Sequence, residues 1–295
     1  MAEAGPGLPL SLSRALRARA AAYGRWLGRC RSRAAAEDVR RLRTTLRRLL
    51  SLLDAAQSVA PRRSLPRIRR RLRAQLRSLG PLRDIDIARA SLDAAGQANP
   101  SLDLYTAWLA ARRPKLAAAA RRDLSALDPA PLLAALRYFA DNLAGVPPQA
   151  CVRGVRLFLA AALAKAIKAW ERTAPGDFRA SHRLRITCKR LRYAAEWLGP
   201  SLPGFSPHDL DAMHRLHSLA GKIQDMGVTA AGLAGFGAAR NATVLAELRP
   251  VLASLDAERS SLISGLGPAA ARALEYWMKR SAAGQLPQTR RGVSS

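Results

Sequence analysis

An all-α fold is predicted for this chain of 295 residues by three observations. Apolar residues recur at spacings of three and four, the signature of one face of a 3.6-residue helix. Aromatic residues are only 5% of the chain, β-branched residues are sparse, and the alternation that a strand needs does not persist. Pro and Gly fall between the periodic stretches rather than within most of them, so helices are expected to be joined by short loops into antiparallel bundles.

The first helix is expected at 12–31. The stretch Ser11–Cys30 is Arg-rich and free of acid, faintly like a transit peptide, but an amphipathic helix is the expectation. Val39, Leu42, Leu46, Leu49 and Leu53 form the apolar stripe of the second helix. Ile68, Leu72, Leu76 and Leu79 form the next, stopped by Gly80-Pro81. Further helices are expected at 84–96, 101–122, 130–144, 149–173, 179–198, 207–221, 224–239, 243–264 and 268–282. Asp177 and Ser206 are the expected N-caps of two of them, because a short oxygen-bearing side chain there accepts from the free first-turn N–H groups. Residues 283–295 read as a flexible tail.

Composition narrows the function. At 49% hydrophobic residues the chain can bury a core, which excludes a disordered basic tail for its bulk. There is no uncharged apolar run of 18 residues, so no membrane span is expected. Cys30, Cys151 and Cys188 are too few and too scattered for a disulfide framework or a zinc cage, and a cytoplasmic location is expected. Cys188 falls at a core position of its helix, so an apolar role is expected for it. The formal net charge is +28, and of 49 basic residues six are Lys and 43 Arg. GC-rich coding produces such a bias, but Arg also offers a planar fork that grips phosphate with two hydrogen bonds and stays charged. Placement favours the second reading: Arg40 to Arg89 holds 15 basic residues against Asp54, Asp84 and Asp86. A block of one sign points to a polyanionic partner.

An internal repeat is the strongest signal. Val39-Arg-Arg-Leu-Arg-Thr-Thr-Leu-Arg-Arg-Leu49 matches Ser181-His-Arg-Leu-Arg-Ile-Thr-Cys-Lys-Arg-Leu191 at an offset of 142, with Asp54 on Glu196. Leu79-Gly-Pro-Leu-Arg-Asp84 matches Ala220-Gly-Lys-Ile-Gln-Asp225 at an offset of 141. Two related halves are therefore expected, 1–146 and 147–282, facing each other across a pseudo-two-fold axis.

On a helical wheel Arg40, Arg43 and Arg47 share one arc beside the leucine stripe. His182, Arg185 and Lys189 occupy the same arc of the second copy, with Arg192 at its edge. Like charges at i,i+3 and i,i+4 destabilise an isolated helix by roughly 0.2–0.5 kcal/mol per pair. An arrangement that bears this twice implies an anion that offsets it, although an Arg-rich solvent face has the same look. Arg73 and Arg77 extend the basic surface on the third helix, as do Arg14 and Arg17 on the first. Arg48 and Arg190 lie about 100° off the arc, where a surface role fits as well as ligand contact. Asp84 and Asp225 are expected to open helices, or else to hold an Arg fork aimed at the anion.

Catalytic signatures are missing: there is no P-loop, nucleophile elbow or triad. Asp211, His214 and His217 stand at i, i+3 and i+6 of one helix, too far around it to meet at one metal without unwinding, and read as exposed polar residues. Neither catalytic nor metal-binding residues, nor any cofactor, are expected.

The pattern Leu42-Arg43-x-x-x-Arg47-Arg48-Leu49, then Leu79-Gly80-Pro81-x-Arg83-Asp84, then His182-x-Leu184-Arg185-x-x-x-Lys189-Arg190-Leu191-Arg192-Tyr193, resembles the CHAD domain (conserved histidine α-helical domain) over about 12–280. The resemblance implies two four-helix bundles in pseudo-two-fold symmetry, with a basic central channel that binds inorganic polyphosphate. In some members it implies targeting to polyphosphate granules. Carried onto this sequence, the expected ligands are Arg14, Arg17, Arg40, Arg43, Arg47, Arg48, Arg73, Arg77, Arg83, His182, Arg185, Lys189, Arg190 and Arg192. Two positions depart from the pattern. Arg40 stands where the first copy would carry histidine, and Gln224 stands opposite Arg83. The Glu-x-Glu-x-Lys strand of the triphosphatase often fused to this family is absent. Nucleic acid is the alternative partner, expected only as a weaker electrostatic competitor, because single strands are usually held on aromatic platforms and only Tyr193 lies beside a basic strip.

Overall fold

The computed structural model describes residues 7–93, 99–173, 177–199, 202 and 204–286. Among these residues there are eleven α-helices and no strand, so the predicted all-α class holds. In chain order they are α1 (Gly7–Ser32), α2 (Ala36–Val59), α3 (Leu65–Ser78), α4 (Gly80–Asp93), α5 (Pro100–Ser125), α6 (Ala130–Ala144), α7 (Pro148–Glu171), α8 (Phe178–Leu198), α9 (Pro207–Arg240), α10 (Ala242–Ser264) and α11 (Leu266–Ala282).

The caps follow the sequence chemistry. Asp177 accepts from the Ala180 N–H at 2.8 Å and so starts α8. Ser206 and Asp209 exchange hydrogen bonds in a capping box at the start of α9. Asn99 and Asn241 cap α5 and α10 with side-chain oxygens that accept from Leu102 N–H and Val244 N–H.

Some boundaries differ from expectation. The helices expected at 207–221 and 224–239 are a single helix, α9. Gly221 is an ordinary helical residue with open space where a Cβ would stand, and it costs only about 1 kcal/mol relative to Ala. Lys222 carries the backbone N–H that Pro81 lacks at the matching place in the first copy, where the chain breaks between α3 and α4. This also corrects the helix-opening role of Asp225, which lies in the middle of α9, and of Asp84, which is the fifth residue of α4. The helix expected at 84–96 begins earlier, at Gly80, and positions 94–96 lie outside the described residues.

The leucine stripes are the core. Val39, Leu42, Leu46, Leu49 and Leu53 of α2 are fully buried, as are Leu184 and Leu191 of α8. The main apolar cluster joins α1–α3 and α6 to α7–α9 and α11, and a smaller one joins α4 and α5 to α9 and α10. Helix α2 is central, packing on α1, α3, α4, α7 and α8. Its close contact with α7 depends on Gly154, where a Cβ would fall 2.6 Å from Ser58 O and Val59 Cα. Of the expected tail, residues 283–286 are described and Leu286 is buried in the main cluster, while 287–295 lie outside the described residues. No helix among the described residues is long and apolar enough to cross a membrane.

Candidate anion-binding site between the basic helices

Because the basic arc of each repeat adjoins its leucine stripe, burying the stripes turns both arcs inward. Arg40, Arg43 and Arg47 of α2 and His182 and Arg185 of α8 meet in one cavity of about 360 Å³. Helix α4 adds Arg83 and Asp84, and α9 adds Gln224 and Asp225. The two repeat segments recognised by sequence thus surround one space.

The cavity is short of negative charge. Arg43 is anchored by its Nη1, which donates to Leu76 O at 2.7 Å, and burial first, then the charge of Arg47, pushes its pKa down to about 10. Burial and Arg47 likewise lower Arg185, whose Nε is buried with no hydrogen-bond partner. Asp84 and Asp225 oppose these shifts, acting on Arg43 and Arg185 respectively. Both carboxylates line the cavity beside these arginines, and burial raises their own pKa values. Arg40 sits at the exposed end and gives the Nε–Nη2 edge of its fork to Glu37, at 2.6 and 2.7 Å. Hydrogen bonds from Arg40 and Arg41 hold the Glu37 carboxyl down at about 2.

Deeper along α8 the cations crowd further. Lys189 is pushed down to about 6 by burial and by Arg47, Arg185, Arg192 and Arg43. His217 of α9 faces the same group, and burial with the neighbouring Arg192 and Lys189 drives it to about 2, so it is neutral. The expectation of an exposed polar residue is corrected here: His217 is half-buried beside Arg185, Lys189 and Arg192. It occupies the place that Leu76 has in the first copy at the offset of 141, a match the sequence contained. His214 points elsewhere, 3.8 Å from Glu196, and Asp211 is exposed. No cluster of three or more metal-ligating residues occurs among the described residues. Cys188 is buried and its thiol is raised to about 12 by burial, in keeping with its apolar reading.

Other expected ligands lie apart from this cavity. Arg48 Nε pairs with Glu196 at 2.8 Å, and Arg190 with Asp54 at 2.9 Å. These are reciprocal pairs, since Arg48 matches Arg190 and Asp54 matches Glu196 in the repeat. Arg69 also pairs with Asp54. Arg192, only 8% exposed, pairs with Glu196 at 2.6 Å and covers the Tyr193 ring at 4.5 Å. Arg17 pairs with Asp141 across α1 and α6. Arg14, Arg73 and Arg77 are exposed and do not line the cavity. Arg19, which sequence reasoning passed over, is half-buried beside Arg48 and Glu196, and the repeat holds Ala161 at its matching position, so no sequence signal marked it.

Comparison with known proteins places this architecture. Among curated proteins none matches the chain. The fold is similar to the crystal structure of the CHAD domain from the plant Ricinus communis, at 21% identity and a TM-score of 0.74, covering 89% of this chain and 91% of that one. It is also similar to PptA from Streptomyces chartreusis, at 19% identity and a TM-score of 0.61, covering 92% of this chain and 99% of that one. The model of the CHAD domain matches residues 14–234, a span that includes both basic repeats and both Asp-bearing segments, and the chain belongs to the CHAD domain family.

Proposed function

We propose that this protein binds inorganic polyphosphate in a basic channel between α2 and α8, without chemical conversion, and that it acts at polyphosphate granules. The channel is formed by two halves, 1–146 and 147–282, related by a pseudo-two-fold axis. The reciprocal Arg48–Glu196 and Arg190–Asp54 pairs support that relation, because each half offers the other the same contact.

The observation that carries the reading is the inward-facing, under-neutralised row of Arg43, Arg47, Arg83 and Arg185 in one narrow cavity. A flexible anion with one charge per unit, and no side groups to recognise, needs only such a row of forks. Family membership supports the same conclusion. A nucleic acid is favoured less. Tyr193, the ring that follows the basic strip of α8, is buried beneath Arg192 and offers no face to a base. DNA and RNA are expected to compete only through the overall charge, and mainly at low salt.

The test is competition at about 150 mM salt, where long-range attraction is screened beyond roughly 8 Å. Unlabelled polyphosphate should displace labelled long-chain polyphosphate at least ~100-fold better per phosphate than duplex DNA or single-stranded RNA does, because only the narrow anion reaches the buried forks. Replacing Arg43 and Arg185 together by Ala should weaken binding by more than about 10-fold, equivalent to roughly 1.4 kcal/mol, in a protein that stays folded. Equal competition by nucleic acid, or full affinity in the folded double variant, overturns the channel.

A further inference from the structure

A second cavity, of about 470 Å³, lies behind the first. His182 and Gln224 border both, and His182 Nδ1 donates to Gln224 Oε1, so one side-chain bridge separates them. Beyond the bridge stand Arg179 and Arg183 of α8, both exposed, and Arg259 of α10.

Arg259 is held in place from three sides. Its guanidinium lies 3.5 Å from the Phe178 ring centroid, its Nη2 donates to Asp256 at 2.6 Å, and Gly227 leaves it room, since a Cβ there would stand 3.2 Å from Nη1. Its Nε is buried without a partner, and the side chain is only 16% exposed. Among the described residues no carboxylate pairs with Arg179, and Arg183 has only a long contact to Asp177, at 3.7 Å.

The repeat shows that this end is built differently from the other. Where α8 has Arg179, α2 has Glu37, which takes up the forks of Arg40 and Arg41. Where α9 has Gly227, α4 has Asp86, which is buried and pairs with Arg113 at 2.7 Å. The first half therefore places acids at two positions where the second half has a further base, Arg179, and an open space that Arg259 enters, with its Nε still unpartnered. An acid in one half corresponds to a base in the other, and a second acid corresponds to a residue without a side chain.

We infer that the anion path continues past the His182–Gln224 bridge into this second cavity, where Arg179, Arg183 and Arg259 take further phosphates of the same polyphosphate chain, so that the site is extended at the second-half end only. The inference rests on the function proposed above. It predicts a protein that reads a chain asymmetrically, with one end closed by internal ion pairs and the other open to additional units.

The test uses the full chain and long-chain inorganic polyphosphate, titrated over a range of salt. Three proteins are compared: wild type, the Arg179→Ala/Arg183→Ala double variant, and a Lys165→Ala/Lys168→Ala double variant on α7. The last loses the same charge from exposed positions outside both cavities. Losing two phosphate contacts should lower the magnitude of the slope of log K against log salt by roughly 1.4, at about 0.7 per contact on a single strand. The arginine variant should show that change with an affinity loss of about 5-fold or more, and the lysine variant neither. An unchanged slope and affinity in the arginine variant, or equal losses in both variants, overturns the second cavity as a binding site. Wild type that binds no polyphosphate overturns the parent proposal instead, and is read before either variant.

Discussion

Lys189 is the residue whose surroundings make the sharpest demand. Its amino group is half-buried among Arg43, Arg47, Arg185 and Arg192, and its pKa falls to about 6 from an ordinary value near 10.4. Between those two values the unfolded chain holds a proton that the folded chain does not. The number bound is greater in the unfolded state, so this group makes stability rise with pH across that window. A polyanion laid along the row reverses the balance, because a negative neighbour favours the charged amine. Binding at about pH 7.5 should therefore take up close to one proton, and affinity should fall as pH rises above that of the free group. Calorimetry in two buffers of different ionisation enthalpy measures the uptake directly. Lys189→Arg, which cannot deprotonate, should bind without it; the same uptake in that variant would show that another group titrates. The row itself was legible in sequence because Arg43, Arg47, Arg185 and Lys189 repeat at one offset beside a leucine stripe. Arg48 and Arg190 stood about 100° off that arc, yet spacing left ligand contact open for them, since what removes them is a carboxylate on the opposite helix. Periodicity describes one helix at a time and is blind to that partner.

At the scale of the element, helix class and most boundaries followed from spacing and punctuation, and the exception has a local cause. Gly221-Lys222 looks like the copy of Gly80-Pro81, yet the proline supplies the break, and without it α9 runs through. A glycine's meaning is likewise set by what lies opposite, which the sequence does not print. Gly154 of α7 faces the α2 backbone, and a Cβ there would meet Ser58 O and Val59 Cα at 2.6 Å. Backbone atoms cannot swing aside as a side chain does, so α2 and α7 would have to separate. Gly154→Ala should cost about 1–3 kcal/mol as overpacking, or roughly 2–4 °C of melting temperature per kcal/mol for a chain of this class. Gly28 of α1 is exposed with nothing within 4 Å of its Cβ position, so Gly28→Ala should gain about 0.5–1 kcal/mol. Thermal melts of the two variants should thus move in opposite directions. Equal shifts would mean that the α2–α7 contact is looser than its geometry.

For the whole molecule the problem is one of cohesion: the proposed halves bring like charges together at their shared surface and need something to hold them. The main apolar cluster does part of this, joining α2 to α7 and α8. The smaller cluster does more, joining α4 and α5 to α9 and α10, and reciprocal ion pairs add to both at the far end of the basic row, Arg48 to Glu196 and Arg190 to Asp54. The acids are placed one to two turns beyond Arg47 and Lys189, so they clamp the two helices without neutralising the cavity. The pairs are only partly exposed, and such charges couple more strongly than surface ones. A pseudo-two-fold clamp has a specific signature in double-mutant cycles. Arg48→Ala with Glu196→Ala should show a coupling of roughly 0.5–3 kcal/mol, and Arg190→Ala with Asp54→Ala the same within that range. The same-helix combinations, Arg48 with Asp54 and Arg190 with Glu196, should couple much less, although they are nearer in sequence. The single changes should also rank in order. Glu196→Ala strands Arg192, which is 8% exposed and has Glu196 as its ion-pair partner, whereas Arg48→Ala leaves Glu196 still paired with Arg192. Removing the acid should therefore destabilise more than removing the arginine, because an unpaired buried charge keeps its full desolvation cost. If the same-helix cycles couple and the cross-helix cycles do not, the ion pairs stiffen each helix separately, and the cohesion of the two halves must come from the two apolar clusters.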